Sequence, residues 1–170
     1  MKPTPTGRVQ RTAQGRDIVL TRTFRAPIED VWASVTESER TARWFGPWEG
    51  RGAPGETIRY WMAFEQQPEE GPAWSEMTID ACDAPRLLEL SAATDYGSWS
   101  FTLELEERDG VTELRFTHHV DATLDVGSFG PGWEYYLDNL VASRDGAARP
   151  DFADYYPSMK DHYAAQATGE

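Results

Sequence analysis

An α+β fold, in which an antiparallel sheet meets one long C-terminal helix, is predicted by three observations. A strand pattern near the start is followed at once by two short helical stretches. Between about residues 55 and 119 the apolar period is two. Near the end it returns to the i, i+3, i+4, i+7 spacing of a helix with one buried face.

Residues 1–14 are polar, rich in Pro and Thr, and read as a flexible N-terminal arm. In RDIVLTRTF, at 16–24, Ile18, Leu20 and Phe24 share one face while Val19, Thr21 and Thr23 share the other, as in a strand partly covered on both sides. Pro27 suits the first turn of a helix, where its missing N–H costs nothing. Glu29 and Asp30 then lie near the positive helix end, and Ile28, Val31, Trp32 and Val35 form the buried stripe. Thr36-x-x-Glu39 matches a capping box, so a second short helix is predicted from Glu37, with Trp44 and Phe45 at its end and Gly46-Pro47 as its stop.

Five further strands follow, six in all. Their inward rows read Ile58, Tyr60, Met62 and Phe64; Met77, Ile79 and Ala81; Leu88, Leu90 and Ala92; Trp99, Phe101, Leu103 and Leu105; and Leu114, Phe116, His118 and Val120. Arg108-Asp109-Gly110 reads as a hairpin turn between the last two. The final helix is predicted to begin near Gly130-Pro131-Gly132, with Trp133, Tyr136, Leu137, Leu140 and Val141 on one face and Glu134, Asp138 and Asn139 on the other. Arg144 sits in its last turn and Gly146 is the expected C-cap. The core domain is therefore placed at 15–146, and 147–170 is an aromatic C-terminal extension whose Phe152, Tyr155, Tyr156 and Tyr163 are expected to pack on something.

The totals narrow the function classes. A chain of 170 residues suffices for one domain with a real core, and seven each of Trp, Tyr and Phe are a heavy aromatic load. With 29 acidic against 16 basic side chains the net charge is −13, which repels nucleic-acid phosphates and anionic lipid heads. Cys82 is the single cysteine, so an intramolecular disulfide is impossible. There is no apolar run of membrane-spanning length and no secretory-type leader pattern, so neither nucleic acid nor membrane is expected as a partner, and a cytoplasmic location is expected.

Three segments carry a family resemblance. The first is Arg22-Thr-Phe24-Arg-Ala26-Pro27 with Val31-Trp32 and Thr36, closing on Trp44-Phe45-Gly46-Pro47. The second is Asp80-Ala-Cys-Asp-Ala-Pro85-Arg86-Leu87, and the third is Gly132-Trp133 with Leu137 and Leu140. Together with the element order they resemble the AHSA-type family (activator of heat-shock-protein-90 ATPase) of the SRPBCC, or START-like and polyketide cyclase-like, helix-grip superfamily, over about residues 16–146. The sequence departs from that pattern at Pro54-Gly55, in the acidic insertion 66–72, and in the aromatic tail after Pro150. The resemblance implies a curved six-stranded sheet wrapped around the long C-terminal helix, with a cavity between them and the two short helices closing one end. In TARWFGPW, at 41–48, Trp44 and Phe45 then read most simply as core rings, and Trp48 as the cavity rim.

Catalytic chemistry has few candidates. His118 and His119 are adjacent on a strand, point to opposite faces and cannot share an ion; with no HExxH or CxxC spacing, neither a metal nor another cofactor is expected. His118 on the inward row is a weak catalytic candidate, as a general base or a ligand anchor, or else a satisfied core histidine. Cys82 lies between Asp80 and Asp83, whose charge raises a thiol pKa rather than activating it. The expected ligand-binding set is Trp48, Tyr60, Met62, Met77, Trp99, Phe101, His118, Trp133 and Tyr136: apolar walls with a few polar tips. Three functions follow. The first is binding of a small hydrophobic or aromatic molecule, as a carrier or low-specificity enzyme. The second is polyketide cyclase- or dehydratase-like chemistry with His118 as acid–base residue, and the third a protein-interaction role toward a chaperone.

Overall fold

The computed structural model describes residues 2–65, 69–94 and 97–168. Its strands are β1 (Arg8–Thr12), β2 (Gly15–Phe24), β3 (Trp48–Glu49), β4 (Thr57–Tyr60), β5 (Ser75–Asp83), β6 (Leu87–Thr94), β7 (Gly97–Arg108) and β8 (Val111–Val120). Its helices are α1 (Ile28–Thr36), α2 (Ser38–Thr41), α3 (Val126–Asp145) and α4 (Lys160–Thr168). The strands form one antiparallel sheet in the order β1-β2-β8-β7-β6-β5-β4-β3, curved around α3 as predicted. At the β7–β8 hairpin Asp109 (φ 53) and Gly110 (φ 80) both take positive φ, the geometry that a two-residue turn of this twist requires.

Among the described residues the sheet has eight strands rather than six, because two short edge strands carry little apolar signal. Residues 8–12, read as part of a flexible arm, form β1 and pair with β2 from Arg8↔Val19 to Thr12↔Gly15. RVQRT has no apolar alternation; its backbone pairs with β2, Val9 alone of its side chains packs against the core as a hydrophobic, and its arginines suit a sheet edge. At the other edge, β3 pairs Trp48 with Tyr60. The strand expected to run on through Met62 and Phe64 stops at Tyr60, because the chain bends to bond the segment 45–47: Trp61 N–H donates to the Pro47 carbonyl at 3.4 Å and Ala63 N–H to that of Phe45 at 3.0 Å. Glycine is required at Gly46, since a Cβ there would lie 1.7 Å from the Trp61 carbonyl oxygen.

Three further expectations are corrected. The Thr36-x-x-Glu39 capping box does not form; the Thr36 hydroxyl donates back to the Trp32 carbonyl at 2.7 Å, and α2 starts after Glu37 with no side-chain cap. In β5 a bulge between Ile79 and Ala81 shifts the alternation, so Cys82 pairs with Leu88 and joins the inward row in place of Ala81. Helix α3 begins at Val126, ahead of the Gly-Pro-Gly segment read as its start. Asp125 caps it, accepting from Gly127 N–H at 3.1 Å, and Pro131 lies inside it. Gly130 shapes packing rather than a turn: a Cβ on it would sit 2.4 Å from the Tyr163 ring of α4, whereas one on Gly132 would meet nothing within 4 Å. The C-terminal end matches expectation, with Gly146 at φ 66 as the αL cap.

The polar side of α3 is not a solvent face. Glu134 is 1% exposed, and its carboxylate accepts from Thr6 N–H (2.6 Å), Thr6 Oγ1 (2.8 Å), Gly7 N–H (2.9 Å), Arg22 Nη2 (3.0 Å) and the Tyr163 hydroxyl. Arg22 also donates through Nε to Asp138 at 3.0 Å, and Asp138 accepts from the Tyr155 hydroxyl at 2.7 Å. Burial alone would raise the Glu134 pKa, but the donors from Tyr163, Gly7 and Thr6 outweigh it and hold the pKa low. The N-terminal segment and the aromatic tail are thus tied to the back of α3 through one carboxylate. Glu134→Gln, which leaves Arg22 paired with Asp138 alone and removes the charge that the other donors share, is expected to lose roughly 1.5–3 kcal/mol in urea unfolding. A loss below about 1 kcal/mol would mean that the cluster is not holding the helix.

Candidate functional site: an aromatic cavity between the sheet and α3

A cavity of about 380 Å³ lies between α3 and the concave face of the sheet, capped by α1 and the segment 41–48. Its volume falls within the roughly 300–1,000 Å³ of small-molecule pockets. Of the nine residues expected to bind a ligand, Trp48, Tyr60, Met62, Met77, Trp99, Phe101 and Trp133 lie on its wall; His118 and Tyr136 do not. Trp44 and Phe45 answer both descriptions of TARWFGPW at once, packing in the core and facing the void. The sequence reading missed Trp32, Ile58, Ile79, Cys82, Leu88, Leu90 and Phe116 as wall residues. Leu88, Leu90 and Phe116 already stood on inward rows, whereas Cys82 turns inward only through the bulge.

The polar tips on this wall are largely committed to the protein. Trp44 Nε1 donates to the Ser34 carbonyl at 2.9 Å and Trp48 Nε1 to that of Thr36 at 2.8 Å. The Thr41 hydroxyl donates to the Gly46 carbonyl at 2.8 Å. Burial raises the Tyr60 pKa, offset in part by a hydrogen bond with Ser75, so its phenol is neutral at physiological pH. Among the described residues the titratable groups on the wall are Tyr60 and Cys82; no carboxylate, imidazole or ammonium faces the void. Rings dominate what remains, with Phe45 stacked on Tyr60 at 5.8 Å and Phe101 edge-on to Trp133 at 5.4 Å.

His118 sits behind that wall. It is fully buried, and its Nδ1 accepts the Trp133 Nε1–H at 3.0 Å, which assigns its own proton to Nε2. That Nε2 is buried with no hydrogen-bond partner among the described residues. Burial, with a smaller contribution from His119, lowers the His118 pKa from 6.5 to about 3. The imidazole is therefore neutral at physiological pH and orients Trp133, whose ring lines the void. His119, on the outer face, instead bonds Asp17 through Nδ1 at 2.8 Å and Thr102 through Nε2 at 2.8 Å. Tyr136 packs edge-on to Phe45 at 5.7 Å and gives its hydroxyl proton to Glu65. Among the described residues no group of three or more His, Cys, Asp or Glu side chains is placed to hold a metal ion. No helix among them is long and apolar enough to cross a membrane.

A curved antiparallel sheet gripping a C-terminal helix over an internal cavity defines the helix-grip class. The model of the family described as Activator of Hsp90 ATPase homolog 1-like protein matches residues 25–143, and the chain belongs to that AHSA1 family. Among solved structures, CalU16 from Micromonospora echinospora is 22% identical, with 98% of each chain covered and a TM-score of 0.77. The protein encoded by BPP1335 of Bordetella parapertussis is 28% identical over 96% of this chain and 94% of that one, with a TM-score of 0.71. DynU16, a protein of the dynemicin biosynthetic locus, is 18% identical over 80% of this chain and 50% of its own, with a TM-score of 0.66. A search of curated proteins finds no sequence match.

The His118 arrangement sets a pH dependence. Below about pH 6.5 the unfolded chain takes up a proton that the folded chain refuses until about pH 3, so stability falls as pH drops through that window. His118→Leu should lower stability at pH 7 yet flatten its decline between pH 6.5 and 4.5, as read from melting temperatures. A parallel decline in both proteins would rule out the buried neutral imidazole.

Proposed function

We propose that this protein binds a small hydrophobic, aromatic-bearing molecule in the cavity between α3 and the sheet, as a carrier or sequestering protein. The observation that carries this reading is the wall itself: a void of about 380 Å³ faced by aromatic and aliphatic side chains, with most of its N–H and O–H groups consumed internally. Such a surface gains free energy by excluding water from apolar area and offers little to a polar solute. The lack of a carboxylate or imidazole on the described wall favours binding over acid–base turnover. DynU16, encoded in a biosynthetic locus, has a related fold, which accords with a small-molecule role without naming the molecule.

Titration with 1-naphthol, followed by quenching of tryptophan emission, should saturate at one molecule per chain. Leu90→Trp, which fills the void from the sheet side, should weaken that binding by at least about tenfold, or about 1.4 kcal/mol, while the protein remains folded by circular dichroism. Unchanged affinity in this variant would place the bound naphthol elsewhere.

A further inference from the structure

The sheet opens between β5 and β6. The β5–β6 ladder ends at the pair Thr78↔Ser91, although β5 extends back to Ser75 and β6 runs on to Thr94. Ser75, Glu76 and Met77 keep their pairing with β4, and Ala92 and Ala93 keep theirs with β7, so the two halves of the sheet splay apart between them. A groove of about 790 Å³ occupies the split. Its lining includes the outward residues Glu76, Thr78 and Ser91 and also Met77 and Ala92 of the inward rows, so residues of both faces border the split. Met77 faces both spaces, lining this groove and the aromatic cavity.

The two compartments differ in chemistry. The cavity is ringed by apolar groups, whereas the groove has a mixed lining in which Ser75, Thr78, Ser91, Ser98, Glu76 and Trp74 stand beside Met77 and two alanines; the Ser75 hydroxyl bonds Tyr60 and that of Thr78 bonds Thr57 at 3.3 Å. Trp74 is 38% exposed and is held from one side by the Arg59 guanidinium, 4.4 Å from the ring centroid; Arg59 is anchored in turn by Glu49 at 2.7 Å. A braced indole beside clustered hydroxyls suits a neutral ligand with a flat C–H face and many O–H groups. An anionic head is disfavoured by Glu76 and by the net charge of −13.

We propose that the groove is the head-group compartment of the same site, so that the ligand is an amphiphile. Its aromatic or aliphatic body fills the cavity, and a neutral, hydroxyl-rich head of glycosyl type lies in the split beside Trp74. This inference rests on the cavity reading above and adds the class of the ligand to it.

Three probes separate the possibilities: 1-naphthol, 1-naphthyl β-glucoside and 1-naphthyl sulfate, each titrated by tryptophan quenching. The glucoside is expected to bind at least about tenfold more tightly than naphthol, and the sulfate more weakly than naphthol. Trp74→Ala and, independently, Ser91→Val should abolish the glucoside's advantage while leaving naphthol affinity unchanged; both sites lie outside the cavity wall. If naphthol binds in the cavity but the glucoside binds no better, or if the sulfate binds best, the head-group compartment is refuted and the cavity reading stands. If both variants weaken naphthol and glucoside alike, the groove is no separate compartment. If none of the three binds, the cavity reading falls and this inference with it.

Discussion

Helix α3 is held from behind, and that hold allows its front to face a void. A helix that packs only against a filled core draws its stability from the contacts it makes there. One that borders an empty space forfeits part of those contacts, because atoms facing a void have no partners for dispersion attraction. The Glu134 carboxylate offsets this from the opposite side. Five donors from the N-terminal segment, β2 and α4 converge on it, and Arg22 bridges it to Asp138. Arg144 at the end of the helix adds a second tie, donating to Asp30 Oδ2 at 2.6 Å and to Ser34 Oγ at 2.7 Å on α1. The helix is thus positioned by polar contacts on its far side and end, while Trp133 reaches the sheet at Phe101, Phe116 and His118 and, with Leu137, borders the void.

The same logic explains the committed polar groups around the cavity. An indole N–H left unpaired in an apolar space would attract water and cost free energy when water is expelled. Trp44, Trp48 and Trp133 each give that proton to a protein acceptor, so their faces can serve a guest while their edges serve the fold. His118 belongs to this second role. Its burial, its low pKa and its bond to Trp133 make it a positioning residue for a wall ring rather than a proton donor to a ligand.

The local sequence made much of the frame legible. Alternation along 97–108 and 111–120 is clean because most apolar residues of each strand turn to the core and most polar ones to the other face, and Asp109-Gly110 is a turn signal that few other structures satisfy. The stripe Trp133, Tyr136, Leu137, Leu140 in α3 is legible for the same reason. Less legible were elements whose reason lies elsewhere in the chain. β1 exists because β2 offers an open edge, not because RVQRT favours a strand. The first turn of α3 is helical because Asp125 caps it and Tyr163 packs on Gly130, against the local signal of Gly-Pro-Gly.

By itself, then, the sequence determined the order of the main elements, most of the inward rows, the helix-grip class and most of the rings that would surround a cavity. It could do so because burial of one face imprints a period on nearby residues. The tertiary structure alone decided which inward residues border empty space and which are packed away. Period two marks Phe101 and His118 alike as inward, but the rings of Trp99, Phe101, Phe129 and Trp133 pack around His118, which is absent from the wall that Phe101 helps to form. It also decided the bulge that turns Cys82 inward and the splay of β5 from β6, since both depend on how neighbouring strands register in a curved sheet.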